Sequence, residues 1–229
     1  MERHEIKVIG RIRSELPEKF GIPRQSGLVP ELRSTLIFAP EFRNPDALRG
    51  LEGFSHIWLI WQFSEAVRED WSPTVRPPRL GGNTRLGVFA TRSPFRPNPI
   101  GLSCVRLEKI VMDPELGPTL ILGGADLMDG TPVYDIKPYL PYADAMPDAV
   151  GGFAASAPEA ALQVLLPQSL SPLPEEKRAA LSGILSQDPR PRYQKDPGRE
   201  YGMKFSGCQV RFRVEDGVLT VLSILPCEE

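Results

Sequence analysis

Residues that bind metals are scarce in this sequence. It has three cysteines and two histidines in 229 residues, and no two cysteines form a C-x-x-C pair. Because protein zinc sites usually take three or four ligands from cysteine and histidine, we expect no metal site. The small number of cysteines and the absence of a signal-peptide pattern predict a cytosolic, that is cytoplasmic, protein.

Long apolar runs and the common nucleotide-binding motifs are also missing. The longest apolar run covers residues 57–61, whereas a membrane-spanning helix needs ~20 residues, so we expect no membrane segment. The sequence contains no G-x-x-x-x-G-K-[ST] phosphate loop, no G-x-G-x-x-G dinucleotide fingerprint and no G-x-S-x-G nucleophile elbow. These absences argue against P-loop, Rossmann and α/β-hydrolase chemistry.

Proline is abundant, and the apolar pattern predicts a mainly β fold. The 25 prolines favour turns and strands over long helices. Asn44 before Pro45 predicts one short helix, with Leu48 and Leu51 facing inward and Gly53 ending it. Residues 55–63 are apolar at nearly every position, which predicts a strand buried on both faces. Further strands are predicted over residues 5–12, 85–91, 102–111, 119–127 and 133–137.

The composition changes after the last of these strands. We predict an N-terminal β-barrel catalytic domain over residues 1–165 and a small α+β C-terminal domain over residues 166–229. In the second part, the pattern predicts a helix over 174–185. It also predicts a hairpin of strands 207–214 and 218–225 around Asp216-Gly217. Before it, residues 159–166 fit a helix and residues 163–166 fit a strand equally well.

One long stretch carries positive charge only. No Asp or Glu occurs from residue 71 to residue 107, although the formal net charge of the chain is −2. Six arginines stand there, namely Arg76, Arg79, Arg85, Arg92, Arg96 and Arg106. The planar guanidinium fork suits phosphate and carboxylate groups, and the surrounding prolines restrict the backbone. A site for an anion such as an RNA backbone is predicted; the alternative is a solvated basic face.

Three other segments are candidates for binding or chemistry. In residues 20–27, Gln25 offers a donor and an acceptor to a purine edge beside Arg24, unless this is an ordinary loop. Asp129-Gly130-Thr131-Pro132 is either a plain β-turn or a ligand loop with exposed main chain. Asp135 and Lys137 stand two apart and therefore on one side of a strand. The loop 188–195 combines cations with an aromatic ring for RNA contact, or is simply solvated; its candidates are Arg190, Arg192, Tyr193 and Lys195.

Several exact strings resemble one known family. They are KFGIPRQ at 19–25, LRGLEGFSH at 48–56, PTVRPPRLGGN at 73–83, GVFATRSPFRPNPIG at 87–101, DGTP at 129–132 and DIKPY at 135–139. Together they resemble the β-barrel tRNA (adenine-N6)-methyltransferases, over residues 9–152. The string QDPRP at 187–191 resembles the longer bacterial form, which has a small C-terminal domain.

The resemblance implies an activity, a cofactor and an assembly. Members of the family use S-adenosyl-L-methionine to methylate N6 of threonylcarbamoyladenosine, beside the anticodon of tRNA, and they form homodimers. The implied cofactor-binding residues are Pro23, Arg24, Gln25, Phe63, Ser64, Arg92, Leu102, Asp129, Gly130, Thr131 and Pro132. One position departs from the family, because Ser64 stands where members often have histidine. If that histidine takes part in chemistry, this protein must work without it.

The expected reaction assigns roles to the remaining candidates. N6 must lose a proton, and Asp135 is the predicted catalytic base, with Lys137 or Tyr139 holding the substrate. Arg92 or Arg96 would bind the threonyl carboxylate. The tRNA backbone would lie along Arg76, Arg79, Arg85, Arg190, Arg192 and Lys195. Two other classes stay open, namely a non-catalytic RNA-binding module and a methyltransferase for a small acidic metabolite.

Overall fold

The computed structural model describes residues 4–155, 162–170, 172–190, 196 and 198–227. Six strands close into an antiparallel barrel. They are β1 (Gly10–Ser14), β2 (Arg33–Phe38), β3 (His56–Gln62), β6 (Ile100–Asp113), β7 (Gly117–Gly123) and β8 (Pro132–Pro138). The order around the barrel is β1-β2-β7-β6-β3-β8. A two-stranded ribbon of β4 (Thr74–Val75) and β5 (Leu86–Gly87) lies outside it.

A second, smaller sheet follows the barrel in the chain. Its order is β10-β11-β12-β9. The strands are β9 (Gln163–Leu165), β10 (Glu200–Phe205), β11 (Cys208–Glu215) and β12 (Val218–Pro226). The α-helices of the described residues are the single turn α1 (Pro141–Asp144) and the three-turn α2 (Glu175–Ser186). The predicted mainly β fold, with a barrel and a small α+β C-terminal part, is confirmed.

Side-chain alternation explains the barrel core. On β3, Ile57, Leu59 and Trp61 point inward and are buried, whereas Trp58 and Ile60 between them are half-buried. The prediction that this strand is buried on both faces is therefore wrong. A strand in the wall of a closed barrel has the barrel core on one side only, so its other face is covered only where a loop crosses it.

The segment at 85–91 also differs from its prediction. Only Leu86–Gly87 forms a strand, and Val88–Ala90 continues as a 3-10 turn. The Val88 amide donates to Pro73 O at 2.9 Å, so the chain turns instead of extending. Apolar residues do alternate over 85–91, but the neighbouring strand does not continue beyond its pairing with Leu86–Gly87. Without a paired partner, the remaining residues do not form a strand.

Several local predictions are confirmed. Asn44 accepts a hydrogen bond from the Asp46 amide at 3.0 Å and caps a short 3-10 helix that buries Leu48. Asp216 and Gly217, with φ of 47° and 79°, make the predicted tight turn between β11 and β12. Helix α2 matches the predicted helix at 174–185. Of the two interpretations of residues 163–166, the strand is the observed one for Gln163–Leu165, which pairs parallel with β12.

An N-terminal segment packs into the C-terminal core. Leu16, Val29 and Leu32 are buried in the same apolar cluster as α2 and the second sheet. Phe20 stacks on Phe212 with ring centroids 6.5 Å apart. The loop that contains residues 23–25 is therefore supported by the C-terminal part of the chain. The domain boundary at 165/166 stays a prediction, and the strand just before it belongs to the C-terminal sheet.

Two further observations concern the described residues alone. None of their helices is long and apolar enough to cross a membrane. No three of their His, Cys, Asp and Glu side chains come together as a candidate metal site.

Candidate cofactor site

A cavity of about 1170 Å³ opens between the barrel and the loops that cross its wall. The loop at 22–25 lines one part of it, the end of β3 and residues 63–66 another, and the loop at 91–96 and the start of β6 a third. Trp61, Phe63 and Phe95 give the walls an aromatic surface. An apolar cavity with a few polar groups is the usual form of a small-molecule site.

Half of the predicted site residues, 11 of 22, meet at this cavity. The predicted cofactor residues on its wall are Pro23, Arg24, Gln25, Phe63, Ser64, Arg92, Leu102 and Thr131. The predicted RNA-contacting residues on its wall are Arg76, Arg85 and Arg96. Their positions in the sequence span more than a hundred residues, so only the closed barrel and its crossing loops bring them together.

Arginine side chains are held in place around the cavity. The Arg92 guanidinium donates to the Gln25 side-chain oxygen, which connects two separate predicted segments. Arg96 donates to the Thr91 carbonyl at 3.1 Å. The Arg68 guanidinium lies 4.0 Å from the centre of the Phe95 ring, in a cation–π contact. Because these contacts already hold the arginine side chains, binding an anion here would cost little side-chain entropy.

The turn at 129–132 faces β1 more than the cavity. Asp129 accepts a hydrogen bond from the Ser14 amide at 2.9 Å, and the Gly130 carbonyl accepts one from Arg11 at 2.9 Å. Among the described residues of the turn, Thr131 alone is part of the cavity wall. The cofactor-binding roles of Asp129, Gly130 and Pro132 stay predictions.

The three predicted catalytic residues lie together on β8 and just after it. Lys137 Nζ is 3.1 Å from an Asp135 carboxylate oxygen, so the two share one side of the strand, as expected. Tyr139 packs at 6.0 Å from Trp58, which is on the cavity wall. Asp135, Lys137 and Tyr139 are not themselves wall residues in this chain, and their catalytic roles stay predictions.

The remaining arginine, tyrosine and lysine candidates are not on the cavity wall or lie outside the described residues. Arg79 lies near the cavity-lining prolines 77 and 78 but is not on the wall. Arg106 lies elsewhere on the barrel and pairs with Glu108. Arg190 donates through two nitrogens to Asp188, and this pairing raises the pKa of Arg190. Arg192, Tyr193 and Lys195 lie outside the described residues.

One cavity residue, Asp126, was not among the predicted site residues. Its carboxylate accepts a hydrogen bond from the Ser103 hydroxyl at 2.7 Å, and that hydroxyl accepts one from Trp61 Nε1 at 3.0 Å. Burial raises the pKa of the Asp126 carboxyl, against the lowering effects of the Ser103 hydrogen bond and the Arg92 charge. The sequence signal that could have identified Asp126 is a carboxylate between two apolar residues, Ala125 and Leu127. The structure shows that both neighbours are buried.

Comparison with known proteins agrees with this geometry. The model of the tRNA-methyltransferase O N-terminal domain matches residues 11–145. The model of the TrmO C-terminal domain matches residues 157–227. The chain belongs to the tRNA-methyltransferase O family.

Individual relatives of the family match nearly the whole chain. The "tRNA (adenine(37)-N6)-methyltransferase" of Escherichia coli strain K12 is 45% identical and covers 99% of this chain and 100% of its own length. The "Putative S-adenosylmethionine-dependent methyltransferase RcsF" of Pseudomonas aeruginosa strain PAO1 is 48% identical and covers 88% of each. A crystal structure of TrmO from P. aeruginosa superposes with a TM-score of 0.77 at 37% identity, covering 99% of both chains.

The cavity fits the cofactor of a tRNA-methyltransferase O. S-adenosylmethionine has a purine, a positively charged sulfur and an amino-acid end. The aromatic walls suit the purine, Arg92 offers a cation for a carboxylate, and Asp126 offers an anion for a positive group. Each part of the molecule therefore has a candidate partner among the cavity residues.

Proposed function

We propose that this protein methylates N6 of threonylcarbamoyladenosine at position 37 of tRNA, with S-adenosylmethionine as the donor. Its membership of the tRNA-methyltransferase O family makes it a tRNA methyltransferase that uses this donor. The adenine and its position come from the E. coli relative's name. The observation that carries the proposal is the convergence of eight predicted cofactor residues from separate segments on one cavity.

The cofactor supplies a methyl group that is already activated on a positively charged sulfur. The protein's main task is then to align the acceptor nitrogen, since correct alignment alone removes much of the barrier. The loop at 91–96 is suited to this task because two prolines and the Arg96–Thr91 hydrogen bond restrict it. Ser64 lines the cavity at the position where the family resemblance leads us to expect histidine, so this chain would carry out the reaction without an imidazole there.

The acceptor nitrogen must lose its proton. In the threonylcarbamoyl adduct, N6 belongs to a urea-like group whose lone pair is delocalised. We assign the proton to Asp135, whose carboxylate Lys137 positions at 3.1 Å; when Lys137 turns to the substrate, the carboxylate loses the cation that stabilises its ionised form and becomes a stronger base. A well-placed base contributes about 10²–10⁴-fold in rate. Lys137 or Tyr139 holds the substrate next to it.

The threonyl carboxylate needs a cation of its own. Arg96 is the better candidate of the two arginines, because Arg92 is a predicted cofactor residue and its guanidinium contacts Gln25 of the cofactor loop. Arg96 uses one nitrogen for Thr91 O and is half-buried on the cavity wall. Recognition of this carboxylate would distinguish the modified adenosine from plain adenosine.

The tRNA backbone would follow the positive surface that leads to the cavity. Arg76, Arg79 and Arg85 surround one side. Arg190, Arg192 and Lys195 would extend the track, with Tyr193 stacking on a base. Arg190 is paired with Asp188. It would either leave Asp188 to bind a phosphate, or bind the phosphate while it remains paired.

We further infer a cytoplasmic homodimer, as is usual in the family. The support in this chain is a group of exposed apolar side chains after β8. Tyr142, Met146 and Val150 are 87%, 66% and 94% exposed. Contiguous exposed apolar groups often mark protein–protein contacts. Analytical ultracentrifugation at several concentrations would test the dimer.

One assay tests the proposed reaction. Protein, isotope-labelled S-adenosylmethionine and tRNA are combined, with the tRNA either carrying or lacking the threonylcarbamoyl group, and the digested nucleosides are identified. We expect label in methylated threonylcarbamoyladenosine and in no other nucleoside. Label in plain adenosine would contradict the substrate, and label transfer to free nucleoside but not to tRNA would point to a small-molecule methyltransferase.

A further inference from the structure

Two carboxyl groups are found on the cavity wall among the described residues, and they differ in their surroundings. Glu65 is exposed and lies 3.9 Å from Lys19 Nζ. Asp126 is largely buried, and its Oδ1 is fixed by the Ser103 hydroxyl at 2.7 Å. The Trp61 indole in turn orients that hydroxyl at 3.0 Å. Asp126 is therefore a positioned carboxylate, whereas Glu65 is a surface one.

The amides of Ser26 and of Asp126 itself donate to the Asp126 carboxylate, but none of the ion pairs among the described residues joins it to a cation. The Arg92 charge acts on it at a distance, while the Arg92 guanidinium itself donates to Gln25. Burying a carboxylate without a paired cation is costly, and proteins keep such groups where a ligand supplies the missing charge. A positive ligand group beside Asp126 would thus offset the free-energy cost of burying the carboxylate charge.

Resting on the proposed function, the geometry points to a clamp for the amino-acid end of the methyl donor, in which Asp126 binds the α-ammonium group and Arg92 binds the α-carboxylate. The amino-acid end carries a cation and an anion on one carbon atom. An anionic and a cationic side chain that face one cavity match this pair. The threonylcarbamoyl group of the substrate has a carboxylate but no ammonium, so it cannot use both partners.

The alternative role for Asp126 is acceptance of the N6 proton. Burial raises the pKa of the carboxyl, which favours that role, whereas the Arg92 charge stabilises the ionised carboxylate and opposes it. The hydrogen bond from Ser103 acts in the same direction. A positive ligand group beside the carboxylate would add to these two interactions and keep it ionised.

Three ligands separate the parts of the clamp. S-adenosylhomocysteine has both charged groups, S-adenosyl-3-thiopropylamine has the ammonium only, and 5′-methylthioadenosine has neither. Binding to the full-length protein is measured by calorimetry for the wild type, Asp126→Asn and Arg92→Gln. Asp148→Asn, a change at an exposed carboxylate outside the cavity, is the control.

The clamp predicts a distinct pattern of affinities. Asp126→Asn should weaken S-adenosylhomocysteine and S-adenosyl-3-thiopropylamine by about 10–100-fold, the usual effect of losing a hydrogen bond to a charged group. It should leave 5′-methylthioadenosine within about twofold of the wild type, which also shows that the cavity is intact. Arg92→Gln should weaken S-adenosylhomocysteine only, and Asp148→Asn should change none of the three.

Other outcomes overturn the inference. Unchanged affinity of Asp126→Asn for S-adenosylhomocysteine, with a lower rate of methyl transfer, would make Asp126 the proton acceptor. If S-adenosylmethionine, measured as a fourth ligand, binds more weakly to Asp126→Asn while the affinity for S-adenosylhomocysteine is unchanged, Asp126 lies beside the sulfonium instead. If the wild type binds S-adenosylhomocysteine but methylates no tRNA, the proposed function fails while the binding pattern still decides the clamp.

Discussion

Two aspartates of this protein show that the surroundings of a side chain, and not its residue type, determine what it can do chemically. Asp126 follows the end of β7 and is largely buried behind Ser103, whereas Asp135 lies in the middle of β8 and is half-exposed beside Lys137. Burial raises the pKa of the Asp126 carboxyl. The two residues should therefore respond differently to pH and to substitution, and the next three predictions concern them.

The first prediction concerns the pH dependence of binding. Because the ligand's ammonium group needs ionised Asp126, affinity for S-adenosylhomocysteine should fall as the pH is lowered through the raised pKa of that carboxyl. The charged neighbour whose field reaches Asp126 is Arg92, which stays protonated throughout. Calorimetric titrations at a series of pH values would measure this. If the affinity for 5′-methylthioadenosine, which has no ammonium group, falls in the same pH range, the pH dependence does not come from the contact between Asp126 and the ammonium group.

The second prediction concerns stability. The pKa of Asp126 is raised in the folded protein, so the folded state retains this proton to higher pH than the unfolded chain does. The free energy of unfolding that depends on this group therefore falls as the pH rises from the unfolded pKa towards the folded one. Asp126→Asn removes the penalty, and its Tm at neutral pH should equal or exceed that of the wild type by calorimetry. A clearly lower Tm would mean that the carboxylate stabilises the fold.

The third prediction concerns Asp135. Replacement by asparagine should lower the single-turnover rate of tRNA methylation by about 10²–10⁴-fold, the usual contribution of a general base. Affinity for S-adenosylhomocysteine should stay as in the wild type. Stability should change little, because exposed ion pairs such as Asp135–Lys137 contribute about 0–1 kcal/mol. Turnover at the wild-type rate would remove Asp135 as the proton acceptor.

At the scale of elements, β3 and β6 together build the wall behind Asp126. Gly101 on β6 pairs with Trp61 on β3. A Cβ atom at Gly101 would lie 2.3 Å from Trp61 Cε2, so glycine is what lets the indole lie flat across the strand. Trp61 then reaches Ser103 and fixes the carboxylate. One glycine on one strand thus determines the geometry of a group on another segment.

The fourth prediction tests this wall. Gly101→Ala should displace the Trp61 ring and destabilise the protein by about 1–3 kcal/mol, the usual cost of overpacking a close-packed site. It should also weaken S-adenosylhomocysteine binding, because the Trp61–Ser103–Asp126 chain of hydrogen bonds is disturbed. Urea unfolding and calorimetry would measure the two effects. Gly53→Ala is the control, since a Cβ there meets nothing within 4 Å; equal destabilisation of both variants would contradict the explanation.

At the scale of the whole molecule, the C-terminal part supports the cofactor loop. Phe20 and Ile22 pack against the cluster formed by α2 and the second sheet. Gly21 between them has φ +93°, and a Cβ there would lie 2.4 Å from Met203 Cε. Pro23, Arg24 and Gln25 follow directly in the chain. Loosening this contact should therefore move cavity residues without touching the barrel.

The fifth prediction uses that contact. Gly21→Ala and Gly50→Ala both place an alanine at strongly positive φ, +93° and +89°, which costs about 1–2 kcal/mol. Only the first also meets Met203, since a Cβ at Gly50 meets nothing within 4 Å. Thermal unfolding should show both variants destabilised, while calorimetry should show weaker S-adenosylhomocysteine binding for Gly21→Ala alone. Equal affinities would mean that the loop is positioned by the barrel.

Some features follow from the sequence alone because they depend on neighbours in the chain. The caps, the Asp216-Gly217 turn and helix α2 are local, and their residue types restrict φ or satisfy nearby amides. The acid-free arginine stretch and the family strings likewise need no fold to be recognised, and they led to the cavity residues from Pro23 to Thr131.

Other features were decided only by the tertiary structure, since they depend on distances between segments far apart in the chain. The strand predicted at 85–91 stops at Gly87 because its partner β4 covers only Thr74–Val75. Asp126 became a candidate only when β3, β6 and the 23–26 loop were seen to enclose its carboxylate. Burial and the field of a distant arginine are properties of three-dimensional packing, and no local pattern encodes them.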